Sequence, residues 1–159
     1  MGRSSGVRAR IAIAIALAGS AAVLAVRTVH AQSPGSNRVP VNVMVVHTCE
    51  SERDGGVDPR ARDLDEKLKK QLRYKSMRVI QQERVDLEMN QVGTVHLPDG
   101  RKVRMRPIHK DTRGVLMAVD VQGAVKLDAR APNHHKVVIG AGEYEDGNLA
   151  VSIEPDYNE

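Results

Sequence analysis

Valines recur at every second position near the start of the main body of this chain: Val39, Val41, Val43 and Val45 alternate with Asn42 and Met44 and run on into Val46. That period of two predicts an extended strand with at least one face in a core. After a Gly-containing loop over Ser51–Val57, Asp58-Pro59 signals a helix start, because the carboxylate can accept from the open amides of the first turn and Pro fits the first helical position. Ala61, Leu64, Leu68 and Leu72 then recur at helical spacing, with Arg62, Asp63, Glu66, Lys67, Lys69 and Lys70 on the other face. One amphipathic helix is expected there, helped by the i,i+4 pairs Asp63/Lys67 and Glu66/Lys70.

From Met77 the period returns to two. Val85, Leu87 and Met89 alternate with Asp86 and Glu88, and Val95 and Leu97 lead into Pro98-Asp99-Gly100, with Val103 and Met105 beyond. Pro fixes φ and Gly supplies the left-handed residue, so this triplet predicts a hairpin that sets Val95 opposite Val103 and Thr94 opposite Arg104. Further alternating runs at Val115–Val121, Val125–Ala129, Val137–Ile139 and Leu149–Ile153 complete the pattern, the last two joined by Glu145-Asp146-Gly147-Asn148. The expected fold is α+β and strand-dominated: an antiparallel β-sandwich or curled sheet of about eight strands, with one helix after the first.

Ahead of the strands lies a different kind of sequence. Arg3, Arg8 and Arg10 precede the apolar run Ile11–Val26, and Val29-His30-Ala31 presents small residues in the manner of a cleavage site. The run is interrupted by Gly19 and Ser20 and falls short of the roughly 18–20 residues that span a bilayer comfortably. Residues 1–31 therefore read as a cleavable signal peptide, 32–38 as a flexible spacer, 39–155 as one globular domain and 156–159 as an acidic tail. Export to the periplasm or the medium follows as an expectation, with membrane attachment only through an uncleaved leader.

The leader also changes the meaning of the net charge. The whole chain carries 24 Lys+Arg against 20 Asp+Glu, and the leader's four arginines account for the entire excess. A formally neutral body removes the global-charge argument for a nucleic-acid partner. Phe and Trp are absent and only three Tyr are present, so stacking platforms for sugars or single-stranded bases are nearly lacking. A single cysteine, Cys49, rules out an internal disulfide.

Two groups of residues carry candidate chemistry. Lys102, Arg104 and Arg106 occupy alternate positions on one strand, with Arg101, Lys110 and Arg113 nearby, and project as a row about 7 Å apart. They suit an anionic envelope component or an acidic partner protein. Alternatively, they form the outer face of a hairpin, balanced by carboxylates such as those between Glu143 and Glu159. His47 and Cys49, two apart on the first strand, offer imidazole and thiolate to a metal such as zinc or copper, with His134 and His135 as further candidate ligands. Asp146-Gly147-Asn148 is accounted for by a hairpin turn.

No nucleophile elbow, zinc-protease helix, phosphate loop or dinucleotide fingerprint occurs, and no cofactor is implied. The expected function is a non-enzymatic exported module that binds or helps assemble another macromolecule. The alternatives are metal binding or sensing through His47 and Cys49, and a hydrolase whose site is dispersed along the chain. Oligomeric state leaves no trace in the pattern.

Overall fold

A computed structural model describes residues 37–51 and 56–157. The leader and most of the spacer lie outside the described residues. Among the described residues there are eight strands: β1 (Arg38–Cys49), β2 (Ser76–Glu88), β3 (Gly93–His96), β4 (Lys102–Asp111), β5 (Gly114–Val121), β6 (Val125–Ala131), β7 (Val137–Tyr144) and β8 (Gly147–Pro155). They form two four-stranded sheets, ordered β2-β1-β8-β7 and β3-β4-β5-β6, with every neighbouring pair antiparallel. The strand-dominated α+β sandwich expected from the alternation is the observed architecture.

The inner faces of the two sheets close on each other. Val39, Val41, Val43 and Val45 of β1 and Leu149, Val151 and Ile153 of β8 meet Val103 and Met105 of β4 and Val115, Met117, Val119 and Val121 of β5 in one buried cluster. Each such aliphatic side chain contributes about 1.5–3 kcal/mol of transfer free energy when fully buried, so the core forms without Phe or Trp. The β3–β4 hairpin has the expected register: Val95 pairs with Val103 and Thr94 with Arg104. Gly100 sits at φ 84° in its three-residue loop, a conformation that costs a residue with a Cβ.

A second, smaller core lies on the outer face of the first sheet. A 3-10 turn (Pro59–Ala61) leads into α1 (Arg62–Leu68), and Ala61, Leu64 and Leu68 pack on Met44, Val46, Met77, Val79 and Ala150. Covered on both faces, β8 is buried without a break from Leu149 to Ile153. The helix is shorter than its apolar pattern, since Leu72 lies beyond its end, its backbone N–H donating a hydrogen bond to the Leu68 carbonyl. Lys69 forms the i,i+4 pair with Asp65, at 2.6 Å, while Asp63 reaches across to Lys136.

The fold continues past Pro155. The Asp156 amide donates to the Pro40 carbonyl, and Tyr157 is buried in the inter-sheet core with Asn133 bonded to its backbone. At the other end of β1, Asp58 joins the helix start to β2: its carboxylate accepts from the amides of Arg60 and Val79 and from the Arg60 side chain.

The Arg60 side-chain hydrogen bond, then its amide, hold the Asp58 carboxyl well below the usual carboxylate range. Because the folded value lies below the unfolded 3.8, this contribution is present above about pH 4 and is lost as the pH falls further. Asp58→Asn is therefore expected to melt lower than the parent at pH 6, with the gap narrowing at pH 3. A gap of equal size at both pH values would exclude this role for the charge.

Candidate metal centre

Alternation along β1 puts His47 and Cys49 on the same face of the strand, at the end of the sandwich. Both are buried, with 2% and 7% of their surface exposed. Opposite them the β7–β8 hairpin turns in two residues, Glu145 and Asp146, with Glu145 at φ 50° and Tyr144 paired with Gly147. The β1–β8 register sets Cys49 against Gly147 and His47 against Leu149. The exposed Asp146 carboxylate thereby arrives over the buried thiol: Cys49 Sγ lies 3.6 Å from Asp146 Oδ1.

The sulfur also lies 3.6 Å from both His47 Nδ1 and His47 Nε2. Equidistance places it off the in-plane lone pair of either nitrogen, so neither contact is an aligned thiol–imidazole hydrogen bond of the kind that activates a cysteine nucleophile. His47 Nε2 is 3.1 Å from the Tyr144 carbonyl oxygen. A carbonyl only accepts, so Nε2 carries the proton and the neutral ring keeps its lone pair on Nδ1. The Tyr144 ring meets the imidazole edge-on, with centroids 5.4 Å apart and planes at 84°.

His47, Cys49 and Asp146 present donor atoms within 4.8 Å of one another, the one such His/Cys/Asp/Glu group among the described residues. A zinc-sized ion with bonds of about 2.3 Å to sulfur and about 2.0–2.2 Å to nitrogen and oxygen sets tetrahedral S–N and S–O edges of about 3.5–3.6 Å. Both sulfur edges of the cluster already have that length. Coordination further requires the imidazole to turn about Cβ–Cγ until Nδ1 faces the ion.

A cavity of about 450 Å³ opens onto the cluster. Ser76, Arg78, Asp58 and Glu145 line it together with the three donors. Ser76 Oγ donates to the Ser51 carbonyl. Burial, then the bonded Glu145 carboxylate, raise the Tyr144 hydroxyl above its ordinary value.

His134 and His135 are not brought to this site. They sit in the β6–β7 connection, where the His134 amide bonds the Pro155 carbonyl at the far end of β8 from Gly147. His134 Nδ1 lies 3.4 Å from Asp156 Oδ1, and His135 Nδ1 is 2.9 Å from the Asn133 carbonyl.

Lys102, Arg104 and Arg106 do project together from β4, each exposed between the buried Val103, Met105 and Pro107. The carboxylates beside them belong to the same sheet: Asp120 faces Arg104 and pairs with Lys126 at 3.3 Å, and Asp128 of β6 faces Ala118 of β5. The acidic stretch from Glu143 lies in the other sheet, where Asp156 binds Arg84 and Glu154 approaches Lys136. Arg101, Lys110 and Arg113 are engaged apart from the row, on Asp99 and the Ala141 carbonyl, over the Tyr157 ring and on Asp111 respectively.

Comparison of the chain with known family models, curated proteins and solved structures finds no match. Fold and donor set together define the class, an antiparallel β-sandwich with a mixed nitrogen, sulfur and oxygen cluster at one end.

Proposed function

We propose that this chain is an exported β-sandwich module that binds a zinc-class transition-metal ion through His47, Cys49 and Asp146. The observation that carries the reading is the pair of 3.6 Å sulfur edges, to imidazole nitrogen and to carboxylate oxygen, in one partly buried cluster. Thiolate disfavours magnesium and calcium, and a carboxylate oxygen disfavours copper(I). The mixed set suits Zn2+, or Co2+ as its spectroscopic substitute. Export is supported by the basic, apolar and small-residue succession of residues 1–31.

Untagged protein is expected to carry about one zinc per chain, and the cobalt form to show a sulfur-to-metal charge-transfer band. Metal-free protein that takes up neither ion at stoichiometric concentration would sink the assignment.

A second reading rests on the other sheet. Arg104 and Arg106 of the exposed row line a groove of about 430 Å³ with Ala118 and Lys126, and this supports docking of an anionic envelope component. At about 1 kcal/mol per basic residue near an anionic surface, replacing all three by Gln is expected to weaken binding to anionic phospholipid vesicles by about 100-fold. Equal, salt-insensitive binding by the parent and the triple variant would remove this surface from consideration.

A further inference from the structure

A strand at the edge of a sheet offers a row of unpaired amides and carbonyls, and folded proteins blunt such edges. Strand order places β2 and β7 at the edges of the first sheet and β3 and β6 at those of the second. Three of the four are blunted. β2 bulges at Ile80, between the partners of Val45 and Val46, and carries the exposed charges Glu83, Arg84 and Asp86. β7 shifts register between Gly140 and Gly142, and the Arg101 guanidinium donates to its Ala141 carbonyl at 2.6 Å. β3 is four residues long. β6, by contrast, runs seven residues against β5 without a bulge or a proline, and no strand lies beyond it among the described residues.

Charge on the outer face of the second sheet determines what fits that edge. Arg104, Asp120 and Lys126 face one another in turn across β4, β5 and β6, so this row alternates in sign and ends on a cation. In the neighbouring row Arg106 faces Ala118 and Ala118 faces Asp128, which leaves an anion at the edge with an alanine opposite it. Lys126 and Asp128 are both exposed. A strand that continues the two rows must present a carboxylate to Lys126 and, two residues away, a cation to Asp128. β6 itself, run antiparallel, is such a strand.

We infer that the chain associates through β6 with β6 of a second copy, antiparallel about a two-fold axis at Leu127, so that two four-stranded sheets join into one. Lys126 then faces the partner's Asp128, Asp128 faces the partner's Lys126, and the half-buried Leu127 meets the partner's Leu127. Opposite charges directly across a strand pair stabilise it, and like charges there repel. Sliding the pairing by two residues in either direction sets Lys126 on the partner's Lys126, or Asp128 on the partner's Asp128, so charge selects this register. The two-fold keeps both outer faces on the same side, which brings the Lys102, Arg104 and Arg106 rows of the two copies onto one surface. The dimer does not depend on the metal site.

Sedimentation equilibrium of the full mature protein tests the inference. A strand pair of this length makes a small interface, so the parent is expected to be monomeric at low micromolar concentration and to dimerise towards about 500 µM. Lys126→Asp and Asp128→Lys each set like charges opposite one another on both sides of the axis, and each should weaken the dimer at least about tenfold. Both side chains are exposed, so the variants fold, and circular dichroism verifies this. Mixed in equal amounts, the two variants should form a heterodimer about as tight as the parent dimer, because each supplies the charge that the other lacks.

A parent that stays monomeric throughout overturns the dimer, whatever else pairs with the edge. Single variants that dimerise like the parent place the contact away from β6, and variants that stay apart when mixed show that Lys126 and Asp128 are not opposed. Either result overturns the inference.

Discussion

Cys49→Ser is expected to abolish stoichiometric zinc binding and the thermal stabilisation that zinc gives the parent. An ion that binds only the folded state at 100 times its dissociation constant stabilises by about 2.7 kcal/mol. For a domain of this size that corresponds to a rise in Tm of about 10 °C. Losing the thiolate, the strongest of the three donors, weakens zinc by at least about 100-fold. At the same zinc concentration the stabilisation then falls to about 0.4 kcal/mol, or less than about 2 °C.

Serine has nearly the shape of cysteine, so the metal-free melting points of parent and variant should lie close together, and the difference should appear on adding zinc. Asp146→Ala gives an independent arm. Its side chain is an exposed turn carboxylate, so the fold is untouched while zinc affinity drops by about 10–100-fold. Asp128→Asn, on the second sheet, should behave as the parent. A Cys49→Ser protein that keeps the full zinc-induced shift refutes the site, whatever the cobalt spectrum shows.

How far the sequence foretold this arrangement depends on the range of the interactions involved. Alternating valines on β1 and β5 and the Pro98-Asp99-Gly100 turn are local signals, and the strands and the Val95–Val103 register follow from them. His47 and Cys49 shared a face as soon as β1 was recognised. Asp146 could not be added, because it joins them only through the antiparallel pairing of β1 with β8, about one hundred residues apart in sequence. Read locally, it was simply a turn residue.

The same limitation affected charge. The acidic C-terminal stretch looked available to balance Lys102, Arg104 and Arg106, but strand order places it in the opposite sheet, leaving Asp120 and Asp128 as the carboxylates beside the row. Likewise His134 and His135 were plausible ligands by residue type alone, and the length of β8 separates them from the cluster. The helix was legible from its cap, whereas its end was not, since Leu72 keeps the apolar spacing after the helical bonds have stopped.

The residue that lets His47, Cys49 and Asp146 assemble is Gly147, and Gly147→Ala should be the most damaging small substitution in the sheet. A Cβ there would stand 1.9 Å from the Thr48 carbonyl oxygen and 2.9 Å from His47 Nε2. The first contact is with backbone held in the β1–β8 ladder, so it cannot be relieved by a side-chain rotation; β8 must move away from β1. Overpacking of this kind costs about 2–4 kcal/mol, or roughly 10 °C in Tm.

Moving the hairpin also displaces the Tyr144 carbonyl from His47 and carries Asp146 off the sulfur. Protein that remains folded at low temperature should therefore bind zinc at least about tenfold more weakly. Gly140→Ala on β7 is the matched control, because nothing lies within 4 Å of its added Cβ, and alanine there should be neutral or stabilising by a few tenths of a kcal/mol. If Gly147→Ala melts with the parent and binds zinc equally well, close apposition of the hairpin to β1 is not what builds the site, and the three donors have come together for some other reason.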